Sequence, residues 1–454
     1  MRVAPILTSL QVAGLAALLG LPGLLRAQST PPADARAAAF GGDSERFAVH
    51  AQGTYVEQET DGFHAPYRGA NSLTPAAGRE TVDATLYLGA RLWQGAEGWI
   101  NPEIDQGFGL DGTLGLAGFP SAEAYKVGRH RPYLRLPRLF IRQTLNLGAA
   151  AEPVAPGANQ LGGLRSSDRW VFTLGKFSVT DIFDVNQYAH DPHSDFLNWA
   201  AVDAGTFDYA ADSWGYTVGA AAEWYQGRWA LRGGFFDLSD IPNSPRLASG
   251  FDEFQVDLEL ERRHQFLGRP GKLMLTAFDS RGRLGLITAA LQLSAQSGAP
   301  PDLSLVRSYR SRIGAHLSLE QELTDELGLF ARLGKAPGNS EIYEFTDIDR
   351  TLAAGLSLRG ALWRRADDSV GLAGIVNNIS AERQQYLDAG GLGILIGDGR
   401  LPHPGPEQIA ESYYSLGVTG WLHVTLDYQY VKNPAYNRDR GPVSVFALRV
   451  HAQL

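Results

Sequence analysis

The sequence predicts an all-β fold, a transmembrane antiparallel β-barrel of sixteen strands. Three observations predict it: apolar and polar residues alternate with period two in segment after segment, short and long connections between those segments alternate along the chain, and seven of the nine tryptophans stand beside the short connections. Composition agrees, with 52 glycines among 454 residues, 10% aromatic and only 20% charged residues, a mix that favours turns and strands over helix bundles. The net charge of -9 leaves no surplus of Lys and Arg to neutralise phosphates, which argues against a nucleic-acid partner. The chain has no cysteine, so disulfides, thiolate metal sites and cysteine nucleophiles are excluded.

The first element is a leader. Arg2 precedes an apolar run from Val3 to Leu25, and Leu25, Arg26 and Ala27 form an exit that fits signal-peptide cleavage, so residues 1–27 read as a signal peptide. Pro22, Thr8, Ser9 and Gln11 make the same run a poor spanning helix. Residues 28–45, rich in Ala, Pro and Gly, read as a flexible periplasmic segment, and 46–454 as the barrel.

Within the barrel the strands are expected at 46–58, 81–93, 97–105, 133–147, 168–178, 213–226, 228–236 and 252–263, then at 272–280, 309–322, 326–336, 349–361, 368–377, 407–418, 421–432 and 441–454. Two show the pattern most cleanly. Val82, Ala84, Leu86, Leu88, Ala90 and Leu92 alternate with Asp83, Thr85, Tyr87 and Arg91, and Phe254, Val256, Leu258 and Leu260 alternate with Gln255, Asp257 and Glu259. One face is apolar and the other charged. A soluble sandwich or propeller would share that alternation, but many of these segments are long enough to cross a hydrocarbon layer when tilted, whereas globular strands usually run to about 5 or 6 residues. Tight links occupy 94–96, 227, 323–325, 366–367 and 419–420, and long ones 59–80, 106–132, 179–212, 237–251, 281–308, 337–348 and 378–406; the link 149–167 is long on the short side. Trp93, Trp99, Trp170, Trp224, Trp229, Trp363 and Trp421 cluster by the tight links, as an interfacial aromatic girdle would. A barrel of this size leaves room for an aqueous channel.

Several stretches carry a resemblance. Asn101-Pro102-Glu103, the runs Arg138 to Thr144, Leu174 to Asp184, Phe196 to Trp199 and Ala211 to Gly215, and Asn433 to Pro442 near the end resemble the carbohydrate-selective porins of Gram-negative outer membranes. The resemblance implies a sixteen-stranded barrel that passes monosaccharides or short oligosaccharides passively through a constriction made by an inward-folded third extracellular loop. The residues agree with it. The stretch 179–212 holds Asp181, Asp184, Asp191, Asp195, Asp203, Asp208 and Asp212 and no Lys or Arg, while inward parity supplies Arg91, Arg138 and Arg142, with Glu103 and Asp105 close by. Arginines facing carboxylates across a narrow gap offer paired donors and acceptors to sugar hydroxyls, and Trp199 offers an apolar face. Lys176 completes the expected constriction, although its parity groups it with Phe172 and Leu174, so that it either sits on a bulge or snorkels at the rim.

No enzyme motif stands out. Gly355 to Arg359 misses G-x-S-x-G at its last position, and neither H-E-x-x-H nor a P-loop occurs. His190 and His193 could touch a metal, but without a third nearby ligand of clear geometry they read as two solvated loop histidines. No cofactor is expected. The partners are carbohydrate solutes and outer-membrane lipid, with homo-oligomerisation (monomer or trimer) left open. A general small-solute porin and an outer-membrane barrel hydrolase are the alternatives.

Overall fold

The computed structural model describes residues 45–124, 128–148 and 151–454; the signal peptide read at 1–27 and nearly all of the segment at 28–45 lie outside them. Sixteen strands close into one antiparallel barrel. In chain order they are β1 (Phe47–Thr60), β2 (Gly78–Trp93), β3 (Ala96–Gly107), β4 (Arg129–Asn146), then, after a small hairpin of β5 (Ala151–Val154) and β6 (Gly163–Ser166), β7 (Arg169–Phe177), β8 (Thr217–Gln226), β9 (Trp229–Asp237), β10 (Phe254–Phe266), β11 (Arg269–Gly285), β12 (Arg307–Glu322), β13 (Leu327–Lys335), β14 (Arg350–Arg359), β15 (Ser369–Asn378), β16 (Glu407–Thr419), β17 (Leu422–Lys432) and β18 (Val443–Gln453). Each barrel strand pairs with its neighbours in sequence order, and β1 closes the ring on β18 from Gln52 opposite Gln453 to Thr60 opposite Val445. Closure leaves no barrel strand with an unpaired edge.

The alternation decides which way the barrel faces. On β10, Leu258 and Leu260 are 56% and 43% exposed on the outer surface, while Asp257, Glu259 and Glu261 are buried inside. A water-soluble barrel would reverse this; a membrane barrel requires it. The aromatic girdle is present at the tight-turn end, where Trp93, Trp170, Trp229 and Trp421 stand exposed. Trp99 departs from the expected girdle. It falls on the inward parity of β3, is buried, and lays its ring over Gly89, where a Cβ would come within 2.5 Å of it.

The interior holds a second core made by the loops. Phe183, Phe196, Phe207, Tyr343 and Tyr436, all from long connections, are fully buried together with Arg312, Arg332, Arg383 and Arg449. Short helices α1 (Trp199–Val202), α2 (Ile287–Ser297) and α3 (Ala381–Asp388) lie in these loops. The long link on the short side carries the β5–β6 hairpin, whose Leu161 is buried against the barrel interior. It turns up into the lumen from the tight-turn end.

Candidate functional site

The site is built on a bulge. Between β3 and β4 the register shifts, so that Asn101 lies opposite Arg138 but Glu103 lies opposite Arg135. The extra residue falls around Pro137, which has no N–H to give to a ladder. As a result Arg135 and Arg138, three apart, both point inward, while Leu134, Leu136 and Leu139 remain exposed on the outside. Arg135 donates through Nη2 to Glu103 Oε1 at 2.7 Å and through Nε to Asp105. Thr85 Oγ1 donates to the other Glu103 oxygen at 2.7 Å.

Arg138 meets the third loop. Its Nε and Nη2 grip the two oxygens of Asp181 at 2.8 and 2.6 Å, the bidentate fork that guanidinium geometry favours. Asp181 closes a short 3-10 turn, Val179–Asp181, and also accepts the Ser178 amide at 3.0 Å. Burial raises its pKa, but the Arg138 charge and hydrogen bonds more than reverse this and hold the carboxyl below its ordinary value. The Tyr216 ring faces Arg138 at 5.0 Å and Arg135 at 5.4 Å, and Trp214 faces Arg135 at 5.1 Å while its Nε1 donates to the Tyr133 hydroxyl at 2.9 Å. Charge and aromatic surface therefore share one patch.

The third loop, residues 178–216, is pinned across the lumen. Asp184 receives Arg332 Nε at 3.1 Å, and the same guanidinium donates to the carbonyls of Ala201 and Ala189 at 2.6 and 2.8 Å. Burial pushes the Asp184 pKa up, but the charges of Arg332 and His316 pull it down by more, and the net shift is downward. Asp208 accepts the amides of Tyr343, Glu344 and Phe345 at 2.7 to 3.0 Å. Arg449 of β18 holds the carbonyls of Pro192 and Asp195, and Glu411 of β16 accepts the amides of Leu197 and Asn198. The second loop, described over residues 108–124, is held likewise, with Glu407 accepting from Ala117 and Gly118.

Of the residues expected at the constriction, Glu103, Asp105, Arg138 and Asp181 come together. Arg91 and Arg142 do not. They lie at the tight-turn end, where Arg91 donates to Glu45 and Gly162 carbonyls and Arg142 pairs with Glu97 at 3.0 Å and the Asn159 carbonyl at 2.8 Å, holding the inserted link. Lys176 is not in the lumen either. Its ladder partners Leu139 and Val218 face outward with no bulge between, and its amine snorkels to Asp212 at 3.2 Å. Trp199 is buried in α1, stacked on Phe119 at 5.2 Å, rather than presented freely. Arg135, Arg312, Arg332 and Arg449 were absent from the expectation. For the last three the signal was available, since each falls on the inward parity of its strand; Arg135 was hidden by the bulge.

Cavities lie on both sides of the pinned loop. A small one of about 50 Å³ on the long-loop side is lined by Phe119, Trp199, Tyr209, Trp214 and Phe345. Two larger ones, about 360 and 500 Å³, lie towards the tight turns and share Gln187, Tyr188 and Glu322.

Comparison with known proteins now bears on this arrangement. The family model described as "Carbohydrate-selective porin, OprB family" matches residues 71–454. Among solved structures, the high-pH structure of Pseudomonas putida OprB is similar at 16% identity and a TM-score of 0.68, covering 90% of this chain and 94% of that one. The low-pH structure of the same protein (13%, TM-score 0.47, 90% and 93%) and Pseudomonas aeruginosa OccK2 (10%, 0.45, 91% and 99%) are more distant. No curated protein sequence matches the chain.

Proposed function

Since the chain belongs to the carbohydrate-selective porin family, and is thus a sugar channel of the Gram-negative outer membrane, we propose that its solutes pass from the aromatic cavity, along the cluster of Arg135, Arg138, Glu103, Asp105 and Asp181, into the two wide vestibules. A sugar ring has an edge of hydroxyls and a face of C–H groups. The cluster answers the first with donors and acceptors, and Tyr216 and Trp214 answer the second. The observation that carries the reading is the Arg138–Asp181 pair, whose side chains stay 16% and 26% exposed although fully paired to each other. Such a pair meets a solute without leaving a charge uncompensated, so binding stays weak enough for release.

Monosaccharides and short oligosaccharides are the proposed solutes, and the apolar outer face is assigned to contact with lipid. The family makes the chain a channel rather than an enzyme; that it has no catalysis of its own belongs to the same proposal. Liposome swelling with a panel of sugars and size-matched amino acids tests it. Faster swelling with sugars is expected, with entrapped glycosides left uncleaved. Equal rates for both classes would favour a general small-solute porin.

A further inference from the structure

Three acceptor groups from three separate stretches of chain meet between the barrel wall and the loops. Asp83 comes from β2, Glu123 from the second loop and His193 from the third, and their ligand atoms lie within 4.8 Å of one another. His193 Nε2 is 3.2 Å from Glu123 Oε2 and 3.9 Å from Asp83 Oδ1. The other ring nitrogen is already taken, because Nδ1 lies 2.6 Å from Asp191 Oδ1, which also accepts the His193 amide at 3.0 Å. A carboxylate on Nδ1 keeps the proton there and leaves the lone pair on Nε2, the arrangement that outer-shell carboxylates impose on metal-binding histidines; the Gln52 side-chain amide, which donates to Nε2 at 3.2 Å, is the group an ion would displace. Asp83 and Glu123 are both buried, and Asp83 Oδ1 has no hydrogen-bond partner. Buried carboxylates are found paired or on a metal. A proton on Nε2 would satisfy Glu123, but 3.9 Å is too far for a hydrogen bond to Asp83.

We infer that Asp83, Glu123 and His193 form a binding site for a divalent transition-metal cation of the zinc class. Ligand atoms around a tetrahedral zinc ion with bonds near 2.1 Å lie roughly 3.4 Å apart, so the separations here need only small side-chain adjustments. One imidazole with two carboxylates suits this class better than Ca²⁺ or Mg²⁺, which take six or more oxygens. His193 also lines the vestibule of about 360 Å³, which supplies a route in and leaves the fourth position to water. The ion would tie the wall, the second loop and the third loop at one point. It uses none of the residues assigned to sugar contact, so it stands apart from the sugar reading.

The test is calorimetric titration of the full chain in detergent, stripped with chelator, using ZnCl₂ alone as the probe. One site per chain is expected. Asp83→Asn and His193→Gln should each weaken it at least tenfold, while His403→Asn, at an exposed loop histidine, leaves it unchanged. Unaltered β circular dichroism and gel migration of the unheated variants establish that they are folded, and anomalous scattering from zinc-soaked crystals should place the ion on these three residues. Retention of wild-type zinc affinity in Asp83→Asn, or scattering elsewhere only, overturns the site. Equal affinity for Ca²⁺ overturns the assigned class.

Discussion

Two sets of arginines face the same lumen and do different work. Arg332 and Arg449 are fully buried; Arg332 donates to the third loop from all three guanidinium nitrogens, and Arg449 donates to that loop's Pro192 and Asp195 carbonyls. Arg135 and Arg138 stand on β4, at the bulge, beside open aromatic rings, and Arg138 keeps part of its side chain in solvent. The residue type is the same; what differs is what remains for a solute after the protein's own contacts are made. An arginine sealed against backbone carbonyls is an anchor, and one paired sideways with a carboxylate at the edge of a cavity is a contact surface.

The strongest way to break this comparison is Arg332→Ala. It takes the donor from the Ala189 and Ala201 carbonyls and leaves the buried Asp184 carboxylate with only the Ala204 amide and the His316 ring beside it, a loss of about 3 to 5 kcal/mol for a broken buried pair. The third loop should release from β13, raising single-channel conductance and abolishing discrimination among sugars. Unchanged conductance in a folded variant would mean that the loop does not depend on this anchor.

A smaller effect is expected from Arg138→Ala. A hydrogen bond to a charged group contributes roughly 1.5 to 3 kcal/mol, and in a wet pore the lower end applies. Sugar block of ion current should weaken several-fold and selectivity should shift towards cations, because Asp181 loses its counter-charge. Arg142→Ala, which loses contacts to Glu97, the inserted link and the Phe140 ring, should leave sugar block unchanged. Equal losses from the two would erase the distinction between contact and support on this wall.

The smallest effect concerns pH. His190 pairs with Asp203 at 3.6 Å inside the third loop, and burial lowers its pKa while Asp203 raises it more, leaving it above 6.5. A raised histidine pKa stabilises fully below the unfolded value, and that contribution is lost as pH rises through the folded value. The loop should therefore be slightly looser in mildly alkaline solution than at pH 6, and Asp203→Asn should remove that part of the difference. Current noise recorded at both pH values measures it.

How much of this was legible follows from parity. Alternation along a strand is a local property, so the sixteen strands, their inward charges and the outward leucines could be read from residues such as Asp257 and Leu258 alone. Position beside a tight turn, a different rule, misplaced Trp99, which it assigned to the girdle although parity sends the ring inward over Gly89. Height along the barrel was harder. Arg91, Arg138 and Arg142 share a face, yet which of them lies level with the third loop depends on tilt and on the bulge near Pro137, and these are fixed by neighbouring strands far away in sequence. The inserted link that claims Arg91 and Arg142 had no pattern of its own; its hairpin is four residues a side.

That insertion, together with the pinned loops, makes the two mouths of the channel unlike each other. From the long-loop side a sugar meets aromatic walls in a tight space; from the other it meets broad, charged, watery chambers partly undercut by the link. Capture and escape rates will differ between the mouths. Net flow will not, because a conduit with no energy source obeys detailed balance: with equal concentrations on both sides the forward and backward fluxes cancel, however lopsided the pathway. Asymmetry of this kind sets how quickly a scarce nutrient is trapped from outside, and leaves the direction of uptake to whatever consumes it within.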